Sequence, residues 1–308
     1  MEDHCAIMKT ISGSLLLKST LIFNLIASLA ALPFILTATY GLCCARASRL
    51  FHINVIIIFQ VHLFGFFIHC FGRIVLHSLD LYNYTFLDFC DMPPATWRCF
   101  VFRFLYVSGL WMVGATTVPL VIERYIATKK SASYEHAGSA LGVAMIALQP
   151  VMNYCMALKV GVVSDAEKVT MFNLGFQIVA RAVFHYLFKM NENLRKEQLT
   201  SSLSNRYSLE QNLKSMRTLK RFADLQAVFT IIHLSLFVFL LKMGPDLEKT
   251  TYISLVELNS PYPVYAIVSI VVILKKAHTN RVKLKKTLQN HVATDQSVYF
   301  ENFKKDLN

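Results

Sequence analysis

The stretch FVFRFLYVSGLWMVGATTVPLVIERYIATKK, residues 100–130, is an apolar run that ends abruptly in charged residues. Everything before Glu123 contains a single charged side chain, Arg103, and is long enough to cross roughly 30 Å of hydrocarbon as a helix. Arg124 and Tyr125 follow directly, and two lysines come soon after them. The pattern predicts a membrane-spanning helix whose charged end lies at the edge of the bilayer.

The composition of the whole chain favours a membrane protein. Of its 308 residues, 55% are hydrophobic and 16% are charged, and the mean hydropathy is +0.44. Soluble domains usually contain about a quarter charged residues. The net charge of +12 would suit nucleic acid, but the cations lie in short segments between apolar runs, which argues against such a partner. The seven cysteines lack zinc-binding spacing, and no cofactor is expected.

Six further apolar runs resemble the one at 100–122 in length and composition. Lipid gives an unpaired backbone no hydrogen-bond partner, so each run is expected to be helical. The sequence therefore predicts an all-α integral membrane protein with a seven-helix bundle. The predicted spans lie near residues 20–44, 53–77, 100–122, 139–158, 169–188, 225–242 and 257–274. They divide the chain into a short N-terminus at 1–19, a bundle at 20–274 and a basic tail at 275–308.

Lysine and arginine are distributed unevenly between the two sets of connecting segments. The side that holds the C-terminus has 21 of them, and the side that holds the N-terminus has seven. Because cytosolic segments are enriched in these residues, the N-terminus is predicted to lie outside and the C-terminus in the cytosol. The N-x-S/T acceptor at Asn83 falls in the first predicted outside loop, which makes Asn83 a candidate for glycosylation.

The segment before the sixth span, SLEQNLKSMRTLKRF at 208–222, has a helical pattern of its own. Leu209, Leu213 and Met216 fall on one helical face, and Ser208 is a candidate N-cap. We therefore predict that the sixth helix begins well inside the cytosol as an amphipathic extension.

The charged end of the third span is a candidate switch. An arginine near the bilayer edge is costly unless it is paired or hydrated, and Glu123 can neutralise Arg124 in a closed state. Movement of neighbouring helices would then free Arg124 to meet a cytosolic partner. An acid–arginine–aromatic triplet stands at the same point in seven-helix receptors of the rhodopsin class. A salt bridge at a helix end, with no switching role, is the alternative explanation.

Two longer blocks carry a more specific resemblance, IERYIATKKSASYE at 122–135 and LSNRYSLEQNLKSMRTL at 203–219. They are similar to an E-R-x-x-A-T run followed by Tyr-Glu, and to L-S-x-R-Y-x-x-x-x-N, in nematode serpentine chemoreceptors of the alpha superfamily. The chain most resembles the alpha-beta class, with the alpha, beta and epsilon classes as alternatives. The matching residues are Glu123, Arg124, Ala127, Thr128, Tyr134, Glu135, Leu203, Ser204, Arg206, Tyr207 and Asn212.

The resemblance implies a G-protein-coupled chemosensory receptor and not an enzyme. Such a receptor binds a small-molecule or peptide ligand and engages a heterotrimeric G protein through its cytosolic loops. Its expected location is the plasma membrane, including the ciliary membrane of sensory neurons. The residues to which the resemblance gives a coupling or switch role are Glu123, Arg124, Tyr125, Arg206 and Tyr207.

Charged residues inside or beside the spans are candidates for a ligand pocket, since they are costly in lipid without a role. Arg103 would meet an acidic ligand or Asp88, or else extend to the outer headgroups. Arg181 lies deeper, in the fifth span, and Glu257 stands at the start of the seventh, where it would close the mouth of the pocket.

Cysteines on the predicted outer side are candidates for a disulfide, because that compartment is oxidising. Cys99 pairs either with Cys155, as in the rhodopsin-class bridge, or with Cys90 nearby, and free thiols are the third possibility. The histidines of the second span, His62, His69 and His77, are expected to form interhelical hydrogen bonds rather than to bind a metal.

Two other functions remain open at the level of the sequence. A ligand-gated channel or a transporter is compatible with seven spans, although no internal repeat is visible. A membrane enzyme is the least favoured function, because the paired carboxylates or histidine clusters of lipid chemistry are missing from the sequence.

Overall fold

A computed structural model describes the backbone at residues 2–44, 51–88, 90–92, 96–129, 138–140, 142–144, 147, 166–197, 203–275 and 279. It describes the side chains of these residues except those at 2–4, 96–99, 166, 169, 197, 203–211 and 214. The chain divides into two units, Met1–Ile270 and Val271–Asn308. In the second unit, residues 271–275 and 279 are helical.

The first unit is helical throughout its regular structure, which confirms the predicted all-α class for the part that is described. Its elements are α1 (Glu2–Gly13), α2 (Leu15–Cys43), α3 (Ile53–Phe86), α4 (Thr96–Ala115), α5 (Thr117–Lys129), α6 (Ala166–Glu197), α7 (Leu203–Met243), a 3₁₀ turn (Gly244–Asp246), α8 (Lys249–Leu258) and α9 (262–270).

Within the described ranges, five helical segments are long and apolar enough to cross a membrane. They are Leu15–Cys43, Ile53–Phe86, Phe100–Lys129, Ser215–Asp246 and Lys249–Lys275. They overlap the predicted first, second, third, sixth and seventh spans. The predicted fifth span, 169–188, lies inside α6, which is more polar than these five. Most of the predicted fourth span, 139–158, lies outside the described residues.

Several helices extend beyond the predicted spans, because hydrogen-bonded turns continue after the apolar run has ended. The segment 1–19 contains α1 and the start of α2, whose first turn is capped by the hydroxyl of Ser14. Helix α7 begins at Leu203, so the sixth helix does extend well before its predicted span, and the cytosolic location of this extension stays a prediction. The predicted N-cap at Ser208 is wrong, because Ser208 lies inside that helix.

Proline explains two interruptions in the predicted spans. The third span is divided at Thr116 into α4 and α5, and Pro119 lacks the N–H that would bond to the carbonyl of residue 115. The seventh span is divided at residues 259–261, between α8 and α9. Pro261 disfavours helical geometry at Ser260, which precedes it, so α8 ends just before this point.

The apolar core of the first unit lies where α2, α3, α4 and α9 meet. Its buried residues are Ala31, Ile35, Ala38, Leu63, Phe66, Cys70, Val113, Tyr262, Tyr265, Ala266 and Ile270. Phe229 of α7 stacks on the ring of Tyr265 with centroids 4.2 Å apart and meets Tyr262 edge-on at 4.9 Å. Aromatic contacts therefore attach α7 to α9.

Many large apolar side chains point away from the core. Leu15, Ile26, Phe86, Phe172 and Tyr186 are each more than 60% exposed. Exposed apolar surface of this extent is unusual for a monomer in water, but it is what a helix facing lipid requires.

Glycine allows α3 and α4 to pack with their backbones in contact. A Cβ atom on Gly109 of α4 would lie 2.5 Å from the carbonyl oxygen of Gly65 and 2.6 Å from the amide nitrogen of His69 in α3. Small residues at helix interfaces are the usual route to close packing in membranes. The imidazole Nδ1 of His69 lies 2.8 Å from the carbonyl oxygen of Tyr106, which confirms the predicted interhelical hydrogen bond for this histidine.

The disulfide partners differ from those predicted from the sequence. Cys90 is bonded to Cys5 of α1, so the predicted pair Cys90–Cys99 is wrong. The side chain of Cys99 and the whole of Cys155 lie outside the described part of the chain, and that pair stays a prediction. Neighbouring positions in the sequence suggested Cys90–Cys99, whereas folding brings together two cysteines that are 85 residues apart.

The sequence predicted that the glycosylation acceptor Asn83 lies in a loop, and this placement is wrong. Asn83 belongs to the last turns of α3, its side chain is buried, and its carbonyl accepts a hydrogen bond from the amide of Leu87. Hydropathy falls before the helix ends, which is why the sequence suggested a loop there. A glycan on Asn83 stays a prediction, and it requires this turn to be open when the glycan is attached.

Replacement of Gly109 by alanine should destabilise the fold by about 1–3 kcal/mol, because the added methyl group would overlap the backbone of α3. The matched control is Gly114→Ala in the same helix, where a Cβ would meet nothing within 4 Å. That change should be neutral, or stabilising by up to about 1 kcal/mol. Unfolding in mixed detergent micelles measures both, and equal effects would contradict the close contact.

Candidate functional site

Glu123 and Arg124 form a buried ion pair in α5, which confirms the contact predicted from the sequence. Arg124 Nε donates to Glu123 Oε2 and Nη2 donates to Oε1, each at 2.5 Å. Adjacent residues project about 100° apart around a helix, so this pairing depends on two long side chains bending toward each other. Both side chains are almost fully buried, and the carboxylate neutralises a charge that would otherwise be very costly there.

The same guanidinium also bonds to α7. Its Nη1 atom donates to Asn212 Oδ1 and to Ser215 Oγ, both at 3.0 Å. Arg124 therefore connects the end of the third span to the extension of the sixth.

Neutral side chains continue this network to α6. Asn212 Nδ2 donates to Asn191 Oδ1 at 3.0 Å, and Asn191 Nδ2 donates to Thr128 Oγ1 at 2.8 Å. The Thr128 hydroxyl in turn donates to the carbonyl of Arg124 at 2.8 Å. We call these six residues the Arg124 cluster: Glu123, Arg124, Thr128, Asn191, Asn212 and Ser215. It joins α5, α6 and α7 through buried polar contacts.

The two sequence blocks that carry the family resemblance meet in this cluster. Glu123, Arg124 and Thr128 come from the first block, and Asn212 comes from the second. Tyr125 is about half exposed, on the outside of α5. Arg206 and Tyr207 lie near the start of α7, with side chains outside the described set, so their role stays a prediction.

A second polar cluster surrounds Glu257 at the end of α8. Glu257 Oε2 lies 3.4 Å from Arg73 Nη2 and 3.9 Å from His77 Nε2, both of α3. Glu257 Oε1 lies 3.7 Å from Arg103 Nη2 and 3.5 Å from the hydroxyl of Tyr106, both of α4. These five residues are the Glu257 cluster. The guanidinium of Arg73 also lies over the ring of Tyr106, 5.3 Å from its centroid.

The predicted pocket residues are therefore only partly brought together. Arg103 and Glu257 contact each other, but Arg181 of α6 forms an ion pair with Asp224 of α7 instead. Arg181 was predicted to face the bundle and pair with a polar group, and this pairing is confirmed. Its place in a ligand pocket with Arg103 and Glu257 stays a prediction, because hydropathy gives the depth of a residue but not the direction in which its helix presents it.

Helix α7 links the neighbourhoods of the two clusters. His233 Nδ1 lies 2.7 Å from the carbonyl oxygen of Asn259, and Asn259 Nδ2 donates to the carbonyl of His233 at 3.1 Å. Asn259 is two residues from Glu257 in the chain. From His233 to Asn212 along α7 is roughly 32 Å at 1.5 Å per residue, which is about the thickness of a bilayer core.

The chain as a whole is similar to a known family of membrane proteins. The profile of the serpentine type 7TM GPCR receptor class ab chemoreceptor family matches residues 2–308. The chain belongs to this family. The receptor is thus a multi-pass membrane protein of a seven-transmembrane class, and not an enzyme. No curated protein matches the chain.

Several polar residues of the receptor's two clusters were not predicted from the sequence. Arg73 was visible as a charge within a span, and polar residues inside spans are the general signal for such sites. Asn191 and Ser215 lie in polar segments, where nothing distinguishes a buried side chain from a solvated one. Their burial depends on the rotation of α6 and α7, which the sequence pattern does not specify.

Replacing Glu123 by glutamine should destabilise the receptor by about 3–5 kcal/mol, since it leaves a buried guanidinium without its carboxylate. The control is Glu167→Gln, which removes the partner of Lys242 from an exposed pair and should change the stability by less than about 1 kcal/mol. Detergent-induced unfolding of both variants provides the measurement. Equal losses would show that Arg124 is adequately stabilised by Asn212 and Ser215 alone.

Proposed function

We propose that the receptor binds a small external ligand within its helix bundle and activates a heterotrimeric G protein through the segment around Arg124. One observation carries this proposal: the buried guanidinium of Arg124 is bonded simultaneously to Glu123 of its own helix and to Asn212 and Ser215 of α7. Membership of the chemoreceptor family supports it.

The division of contacts suits a two-state switch. Glu123 keeps the charge neutralised in both states because it travels with Arg124 on α5. The bonds to α7 are the ones that break if α7 moves away, and bonds to a charged group contribute about 1.5–3 kcal/mol each. A difference of a few kcal/mol between two states is small enough for a ligand to reverse.

Helix α7 provides the physical connection to a ligand. Its other end bonds to Asn259, close to Glu257, and its aromatic side chain Phe229 stacks on α9. A ligand that displaces α8 or α9 would move the contacts of α7, and the release of Asn212 from Arg124 follows. Tyr125, Lys129 and Arg217 are exposed and belong to the same part of α5 and α7, and in this proposal they contact the G protein.

The N-terminus is assigned to the outside and the C-terminus to the cytosol in this proposal. The excess of lysine and arginine on the C-terminal side supports that orientation. The Cys5–Cys90 disulfide supports it too, because disulfides form and persist in oxidising compartments. A sensory role further assigns the receptor to the plasma membrane, including ciliary membrane.

Nucleotide exchange on a purified G protein tests the switch. Asn212→Ala should raise ligand-independent exchange roughly tenfold, because it removes an acceptor that holds Arg124 against α7. Arg124→Ala at equal surface expression should lower ligand-stimulated exchange by a similar factor or more.

The matched control for this experiment is Gln226→Ala. Gln226 is also a buried amide of α7, but it donates to the carbonyl of Val113, at 2.8 Å, and lies away from Arg124. It should lower stability without raising basal exchange. Equal basal exchange in both variants would reject the switch. Ligand-evoked current in cells that lack G proteins would instead favour the channel or transporter.

Epitope tags at the two chain ends test the orientation. The N-terminal tag should be labelled by antibody on intact cells, and the C-terminal tag only after permeabilisation. Peptide mapping without reduction should recover the Cys5–Cys90 link in the same preparation. Labelling of both tags on intact cells would rule out the proposed arrangement of loops.

A further inference from the structure

Arg73 is a buried cation with unused hydrogen-bond donors. Its side chain is fully buried in α3, and its contact with Glu257 is long, at 3.4 Å. Among the described atoms, its Nε and Nη1 have no hydrogen-bond partner. Both ring nitrogens of His77, one turn further along α3, are likewise buried without one. Buried donors of this kind are rare in folded proteins, because each forfeits its bonds to water.

The guanidinium of Arg124, in contrast to that of Arg73, has close hydrogen-bond partners. It has two bonds of 2.5 Å to one carboxylate and two of 3.0 Å to neutral acceptors. Glu257, in contrast, is shared among four groups at 3.4–3.9 Å and is bonded closely to none of them. A carboxylate of the receptor thus stands among several donors and leaves part of them unfilled.

The Glu257 cluster also reaches the surface. Arg103 is half exposed, whereas Arg73 and His77 are buried. Asp80 follows His77 by about one turn on α3 and is partly exposed. A ligand that enters past Arg103 would meet Arg73 at the inner end of the cluster.

We propose that the Glu257 cluster binds an anionic group of the receptor's ligand, with Arg73 as the principal partner and His77 and Arg103 beside it. This inference rests on the proposed function, since it names the chemical class of the ligand. A carboxylate or a similar oxyanion matches a guanidinium with two parallel hydrogen bonds. The ligand anion competes with Glu257 for Arg73, and Glu257 is thereby released from α3.

Release of Glu257 has a route to the rest of the bundle. The carbonyl of Glu257 accepts a bond from Asn24 of α2, and Asn259 is bonded to His233 of α7. A shift of this end of α8 would therefore act on α7 directly. The anion need not reach Arg124 to affect it.

Binding is tested on the full chain in nanodiscs of neutral phosphatidylcholine. The probes are acetate, benzoate and sulfate, compared with acetamide and benzamide as neutral isosteres, at constant ionic strength. The anions should raise the melting temperature with saturation, and the amides should not. If no anion stabilises the receptor more than the amides do, the unfilled donors are served by bound water only and the proposal is overturned.

Two substitutions should act in opposite directions. Arg73→Gln should weaken benzoate binding about 10-fold to 100-fold, because it removes the charged partner. Glu257→Gln should strengthen it by a similar factor, because the internal competitor is gone. Lys220→Gln is the matched control and should leave benzoate affinity unchanged, since the ammonium group of Lys220 lies over the ring of Phe188 in α6. A purely structural cluster would lose stability in both variants and show no such opposition.

Two further experiments distinguish a lipid headgroup from a soluble anion, and the anion site from the proposed coupling to a G protein. Nanodiscs with anionic phosphatidylglycerol should give no stabilisation that depends on Arg73. If they do while the soluble anions do not, the site binds a lipid headgroup and the ligand assignment falls. Nucleotide exchange is measured in parallel: anion binding without any exchange would reject the proposed coupling alone, whereas exchange that is insensitive to Arg73→Gln would reject the anion site alone.

Discussion

A charged guanidinium inside an apolar bundle must keep its carboxylate, and this requirement governs how the receptor is built around Arg124. Glu123 supplies that carboxylate from the adjacent position of the same helix, so the charge stays neutralised wherever the neighbouring helices lie. The contacts from Asn212 and Ser215 of α7 are then free to form or break without exposing a bare ion. In the proposed switch, the hydrogen bonds from Arg124 to the neutral acceptors of α7 set the balance between the two states, and the ion pair stabilises the charge in both.

Both polar clusters pair arginine with a carboxylate, but they differ in how many of their hydrogen-bond donors have a partner. In the Arg124 cluster, amides and hydroxyls from three helices fill the available donors and acceptors in a continuous chain. In the Glu257 cluster, one carboxylate stands at the centre of cations from two other helices, and donors of Arg73 and His77 stay unfilled. A filled network holds helices together, whereas an unfilled one can accept something from outside. Helix α7 contacts the first and, through Asn259, the neighbourhood of the second.

The sequence predicted features that depend on composition or on adjacent residues. Long apolar runs predicted the helices, and the juxtaposition of Glu123 and Arg124 predicted their pairing. Contacts that depend on helix rotation could not be predicted from the sequence. The contact of Arg103 with Glu257 and the pairing of Arg181 with Asp224 were not specified, and Asn191 was missed. Cys5 was missed because its partner is distant in the chain, and Asn83 was placed in a loop because hydropathy marks the edge of lipid and not the end of a helix.

The contact between Gly109 and the backbone of α3 limits which parts of the bundle can rearrange. Where two main chains touch, there are no intervening side chains whose rotation would let one helix slide or turn against the other. Helices α3 and α4 are therefore suited to stay fixed relative to each other, and together they carry Arg73, His77, Arg103 and Tyr106. In the proposed mechanism, the helices that contact α3 and α4 through side chains, and above all α7, are the ones that move when a ligand enters.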